Sequence, residues 1–325
     1  MVTPCIRSSL ALVGCIALPR LAAAQAAIDP SVAPRAAQMA VAGQRTNATE
    51  MLGRYLATAP DDGQAWLELG QFYILDSREW HQRGHSGEPS SAFFLDFAAT
   101  ALDASLRSPT DSAMYLRAMV EMDRAAMEIE EDGWLGVRAG FVVPAGAEPP
   151  AYLLEAGRNL INSCPIGGVL VTGTELEAVA AWSAVLEDRS RGDLILLLPT
   201  RYDDDSLYRL RMAEALDIRP ITPVAQALTA VASRRPVCLS PTIDSAVAPR
   251  LPLMAFRLVR IAGPEAPEVA DPLGIIELTA VERSRPILLS REVVDLYTRA
   301  AHNNPVLCTS LLVPLGARQR NSCGR

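Results

Sequence analysis

Two interruptions, Pro60-Asp61-Asp62-Gly63 and Ser108-Pro109-Thr110-Asp111, punctuate a stretch between residues 36 and 130 in which apolar side chains recur every three or four positions. That spacing puts the apolar residues on one face of a helix. Each interruption reads as a helix stop followed by an N-cap, because proline cannot continue the ladder and Asp or Thr can accept the first free N–H groups. The first half of the chain is therefore confined to helices joined by short turns.

One of these helices carries a more specific pattern. Ala65-Trp66-Leu67-Glu68-Leu69-Gly70-Gln71-Phe72-Tyr73 has the Trp, Leu-Gly, Tyr spacing of a tetratricopeptide first helix, which it resembles. Pro60 lies six residues before Trp66, where a preceding repeat would end, and Ala48, Leu52 and Tyr55 fall on inward positions of that repeat's second helix. The resemblance implies that Gly70 admits a neighbouring helix while Trp66, Leu69 and Tyr73 fill the space between hairpins, in an array of two to three degenerate repeats. Such arrays offer a surface to a protein or peptide partner; capping of the following domain is the competing role. Residues 77–90 break the pattern with a polar insertion, read as a solvated loop, in which His81 and His85 could share a metal, with Glu79 or Glu88, only if the segment were helical.

The period changes after residue 150. Residues 140–150, with Pro144, Gly146, Pro149 and Pro150, read as a linker between a helical domain over 25–139 and a second domain over 151–325. Following a helix at 151–162, short apolar runs at 167–173, 193–198 and 236–240 alternate with amphipathic segments at 175–186, 206–216 and 224–233. Strand and helix in alternation predict an α/β domain with a mainly parallel sheet. Further strands are expected at 253–261 and 274–278, and a terminal amphipathic helix at 291–303. The expected fold class is thus α + α/β, tetratricopeptide-like hairpins followed by that sheet.

Gly157-Arg158-Asn159-Leu160-Ile161-Asn162-Ser163-Cys164-Pro165 and Gly167-Gly168-Val169-Leu170-Val171-Thr172-Gly173-Thr174-Glu175-Leu176-Glu177, with Trp182 beyond, resemble the soluble domain of bacterial multi-pass proteins related to protein O-mannosyltransferases. Arg235-Pro236-Val237-Cys238-Leu239 and Phe256-Arg257-Leu258-Val259 are similar to later strands of that family, and the likeness spans residues 157–261. It implies a role accessory to cell-envelope glycosylation. The membrane-embedded catalytic portion of the family is absent here, and Gly173, Thr174, Glu175 and Glu177 replace its Asn-Gly and Asp residues, so no transferase activity is carried over.

In an open α/β sheet, ligands bind outside the carboxyl ends of the strands. Two such ends are acidic here, with Thr174, Glu175 and Glu177 after the first strand and Asp203, Asp204 and Asp205 after the second. Neighbouring strands would bring these together as oxygen ligands for Ca²⁺ or Mg²⁺ or as acceptors for sugar hydroxyls. The plainer role is helix capping, with Asp205 or Ser206 starting the helix at 206. The turn at Gly173 lacks the Gly-x-Gly-x-x-Gly spacing and sets acids where a phosphate would lie, which argues against nucleotides. A Cys164/His302 nucleophile pair is the remaining catalytic candidate, and it is a weak one.

The formal charge of −7 argues against a nucleic-acid partner. Residues 1–24 read as a secretory signal, with Arg7, an apolar run at 8–18 and Ala22-Ala23-Ala24 before Gln25. Leu12-Val13-Gly14-Cys15 alternatively resembles a lipobox, which would anchor the chain through a lipid on Cys15. Export to the periplasm or cell envelope makes disulfides available to Cys164, Cys238, Cys308 and Cys323. Of these, Cys308 and Cys323 could pin the tail, while burial as small apolar residues serves as well for the other two. No later window has transmembrane length. The sequence thus predicts an exported, non-catalytic interaction or scaffold protein, with a carbohydrate- or cation-binding module, or a weak enzyme, as the alternative.

Overall fold

A computed structural model describes residues 28–83, 90–187, 191–244, 246–248, 250–263 and 273–315; the leader, Cys15, His85, Glu88 and Cys323 lie outside them. Five helices come first: α1 (Val32–Val41), α2 (Arg45–Leu56), α3 (Gly63–Gln82), α4 (Ser91–Ser105) and α5 (Asp111–Gly140). Both sequence interruptions act as caps. The Asp62 carboxylate accepts from the N–H groups of Gln64 and Ala65 at 3.0 Å, and the Thr110 hydroxyl accepts from Ala113 N–H. Consecutive helices α1 and α2, and α3 and α4, pack on each other. Ala36, Ala48, Leu52, Leu56 and Leu69 form a small core beneath the first three. Residues 77–82 correct the expected loop, since they are helical and complete α3.

Helix α5 runs for 30 residues and bends at Gly133, whose φ of 74° lies in the left-handed region that glycine tolerates. The bend turns the buried Trp134 into an edge-on contact with Trp182, ring centroids 5.4 Å apart. Trp182 belongs to the second half, so α5 begins in one half and finishes in the core of the other. A single apolar core accordingly runs from Leu67 on α3 through the sheet to residue 312. Residues 141–150 have no helix or strand, and Phe141, Ala147, Pro149 and Pro150 among them are buried.

The second half contains α6 (Ala151–Ser163), β1 (Val169–Val171), α7 (Glu175–Glu187), β2 (Ile195–Leu197), α8 (Pro199–Asp204), α9 (Ser206–Leu216), α10 (Val224–Ala232) and β3 (Val237–Leu239). β1 lies between β2 and β3 and is parallel to both, with Leu170 paired to Leu196 and Cys238. Every residue of these three strands is buried, as suits a sheet layered with helices.

Two expectations fail beyond β3. The run at 253–261 is a hairpin, β4 (Met254–Phe256) and β5 (Val259–Ala262), added antiparallel to β3, which makes a mixed sheet of order β2-β1-β3-β5-β4 where a mainly parallel one was expected. The turn sits at Arg257, with φ 50°. Residues 274–278 are not a strand but lead into α11 (Ile276–Ser284), followed by α12 (Leu288–Asn303). The cause is remote in sequence: the Glu155 carboxylate on α6 accepts from the N–H groups of Ile276, Glu277 and Leu278 at 2.7–3.3 Å and starts the helix.

Cys164, after α6, is disulfide-bonded to Cys238 in the middle of β3, with a sequence separation of 74. Closing a loop of that size restricts the unfolded chain by about 4 kcal/mol on the chain-entropy relation. Replacing both cysteines by alanine should therefore lower the unfolding free energy by about that amount in urea denaturation. Superimposable curves for the two proteins would contradict it.

Candidate functional site

A cavity of about 710 Å³ opens at the carboxyl ends of β1 and β2, roofed by α3 and α5. Both strands deliver residues to it directly. Thr172, Thr174 and Glu175 follow β1, while Arg201, Asp204 and Asp205 follow β2 through the short α8. From the helical side come Arg78, Trp80 and His81 on α3 and Asp123 and Glu130 on α5.

The six acidic-rim candidates divide. Thr174, Glu175, Asp204 and Asp205 line the cavity; Glu177 and Asp203 do not. Glu177 is fully buried. Its carboxylate accepts from five donors, namely the N–H groups of Gly173, Thr174 and Thr242 and the hydroxyls of Ser240 and Thr242. It ties the turn after β1 to the turn after β3, enclosed away from the cavity. Asp203 Oδ1 accepts from Val224 N–H at 2.8 Å and so caps α10. The helix-capping role is also met at Asp205, whose Oδ1 accepts from Leu207 and Tyr208 N–H at 2.8 and 3.1 Å.

Asp205 Oδ2 additionally meets His81 Nε2 at 2.7 Å, across the two halves. Glu130 Oε1 stands 3.3 Å from the same nitrogen and accepts from Arg201 Nη2 at 3.0 Å. Burial pushes the Glu130 carboxyl up to about 7, an effect that His81 and Arg201 oppose and the neighbouring Asp205 charge reinforces. Burial also disfavours the Asp205 carboxylate, yet hydrogen bonds from His81, Tyr208 N–H and Glu130 together hold it well below the usual range. The two neighbouring carboxyls are thus driven in opposite directions, Glu130 upward and Asp205 downward.

His81, Glu130 and Asp205 place one ligand atom each within 4.8 Å of one another, which is a donor set a metal ion could use. Arg201 alters that chemistry. Its Nη2 lies 3.5 Å from His81 Nε2, so a guanidinium already neutralises the acids from within. Nearby, Arg78 donates to the Asp123 carboxylate at 2.8 Å and pairs with Glu175. Cavity charge is thus of both signs, with acids in excess.

Thr172 is different in kind. It is 96% buried at the end of β1, and its hydroxyl finds no hydrogen-bond partner among the described residues. A buried hydroxyl without a partner costs about 1–3 kcal/mol, and this one belongs to a residue that lines the cavity.

The repeat-packing residues sit elsewhere. Trp66 donates its indole N–H to Pro60 O at 2.8 Å, Leu69 is buried, and Tyr73 is partly buried against α1 and α2. A Cβ at Gly70 would stand 2.7 Å from Leu102 Cγ, which places α4 against that glycine. The Cys164/His302 pair is excluded, because the Cys164 thiol is consumed in the disulfide while His302 is exposed at the end of α12. Sequence reasoning missed Asp123, Glu130, Arg201, Arg78 and Thr172. For the two acids a signal existed, since both fall on the buried face of α5 where an apolar residue is the rule.

No protein-family model matches the chain, and no match is found among curated proteins or solved structures.

Two outcomes test this geometry. Glu177→Ala strands five donors and should destabilise the fold by about 3 kcal/mol or more, read by urea denaturation; a loss under a third of that would refute the strap. For Glu130 the raised value means that the unfolded chain releases its proton near the ordinary carboxylate value while the folded chain keeps it to about 7. Stability contributed by this group therefore falls as pH rises between those two points and stays low above them. Glu130→Gln should flatten that decline, so the variant gains on the parent between pH 5 and pH 8; parallel profiles would show that Glu130 titrates normally.

Proposed function

We propose that this chain is an exported, non-catalytic binding protein whose cleft between the helical and α/β halves takes a neutral, hydroxyl-rich ligand of the sugar class. The carrying observation is that Thr172, whose buried hydroxyl has no partner among the described residues, lines a cavity of both charge signs at the carboxyl edge of the sheet. A hydroxyl donates and accepts at once, so a polyol can answer Thr172, the outer oxygens of Glu175 and Asp204, and the Arg78 guanidinium together. An anionic ligand is disfavoured by the excess of carboxylates.

The non-catalytic reading rests on how the acids are used. Asp205 is occupied by a helix cap and His81, Glu130 by Arg201, and Glu177 by its five donors. Each is engaged in structure and leaves no evident acid and base facing a common substrate atom. Export is supported by the leader-like residues 1–24 and by the Cys164–Cys238 disulfide, a bond that persists in oxidising compartments. Among the described residues no helix is long and apolar enough to cross a membrane. A role accessory to cell-envelope glycosylation, which the resemblance of residues 157–261 implies, accords with a sugar ligand.

Thermal unfolding with neutral saccharides, and separately with calcium or magnesium, separates the sugar reading from the cation reading. Saccharides should raise the midpoint and the cations should not. Thr172→Val removes the orphan hydroxyl at nearly constant volume, so the unliganded protein should be as stable as the parent or up to about 1 kcal/mol more so. The same change should weaken saccharide binding by about tenfold, the worth of one hydrogen bond. A shift produced only by the cations, or unaltered saccharide binding in Thr172→Val, would sink the proposal.

A further inference from the structure

Helix α4 leaves aromatic side chains in water. Phe93 and Phe97 are 45% and 41% exposed, one helical turn apart, with ring centroids 4.4 Å from each other. Phe97 continues to Tyr73 on α3 at 5.3 Å. In the other direction Phe93 is followed by Phe94 at 6.1 Å, and Phe94 by Trp80 at 5.9 Å. Trp80 lines the cavity described above. Five rings therefore make one row that starts in the polar cleft and runs out along the surface of α3 and α4.

Single exposed apolar residues are commonplace, but a contiguous row of rings on a surface marks an interaction site. Its continuity with the cleft restricts what the occupant can be. A pyranose has an apolar C–H face, which stacks on an aromatic ring, and a hydroxyl rim that needs polar partners. One chain of such units meets both the row and the cleft. A peptide with apolar anchors suits the row, but it would carry those anchors past the carboxylates of Glu175, Asp204 and Asp205 at the cavity end. The acid excess further excludes anionic sugars.

We infer that the ligand is an oligosaccharide, a neutral glycan chain with one unit in the cleft beside Thr172 and successive units stacked on the aromatic row ending at Phe97 and Tyr73. This rests on the sugar reading of the cleft. The stacked units supply length-dependent affinity, because each adds contact without a further loss of overall translational freedom.

Calorimetric titration of the full exported chain with neutral di- and tetrasaccharides of the gluco-, manno- and N-acetylglucosamine series tests it. In the series that binds, the tetrasaccharide should bind about tenfold tighter than the disaccharide. Phe93→Ala/Phe97→Ala, a change at exposed positions, should remove that length advantage while disaccharide affinity stays within about twofold. Phe97→Tyr should retain it, and Phe93→Leu/Phe97→Leu, which keeps apolar area but no ring faces, should not. Thr172→Val should instead weaken both lengths alike.

Binding without a length advantage, or an advantage that survives Phe93→Ala/Phe97→Ala, overturns this inference and leaves the cleft reading standing. A row-dependent dimer in sedimentation, or row-dependent capture of apolar peptides without any effect of saccharide length, overturns it too. If no saccharide of either length binds, the cleft reading itself falls and this one with it.

Discussion

Helix α5 outgrows the helical half in which it starts, and its surplus length governs the arrangement of everything after it. It packs against α3 and α4 on one side and against α7 and α9 of the second half on the other, where Trp134 meets Trp182. The consequence is a main core shared by both halves, with only a small satellite core under α1, α2 and α3. A cleft formed between rigidly joined elements keeps its shape, and that is what lets a handful of polar side chains act together.

The polar side chains on the two sides of the cleft are matched. Arg78 on α3 reaches Glu175 after β1, His81 reaches Asp205 at the start of α9, and Arg201 after β2 reaches Glu130 on α5. Each pair is partly removed from water, so breaking one partner would strand the other at a cost larger than a surface ion pair returns. These pairs fix register between the halves more than they add net stability. Burial among the acids is graded accordingly, from Glu177 wholly enclosed, through Asp203, Asp205 and Glu130 partly enclosed, to Glu175 and Asp204 exposed.

How far the cleft could be anticipated depends on the residue. The position after β1 and β2 followed from strand-helix alternation, and four of the six residues expected there do line the cavity. Glu177 looked equivalent to Glu175 because they stand two apart at the start of one helix. Two positions turn a side chain through about 200° on a helix, which sends one carboxylate to the cleft and the other between the turns after β1 and β3. Likewise the apolar run at 274–278 carried no local mark of helix or strand. Glu155, over a hundred residues earlier, decides it by supplying the cap.

By itself, the amino-acid order determined where helices such as α3 and α5 start and which strands are wholly buried. Those properties depend on residues within one or two turns of each other, through caps such as Asp62 and Thr110 and through apolar period. Only the tertiary structure decided that Cys164 meets Cys238, that the later strands run antiparallel to β3, and that Trp80 joins an aromatic row to a cavity holding an unpartnered threonine. Each of those is a meeting of segments distant in the chain, fixed by how faces fill shared volume, and no local pattern encodes which faces will be brought together.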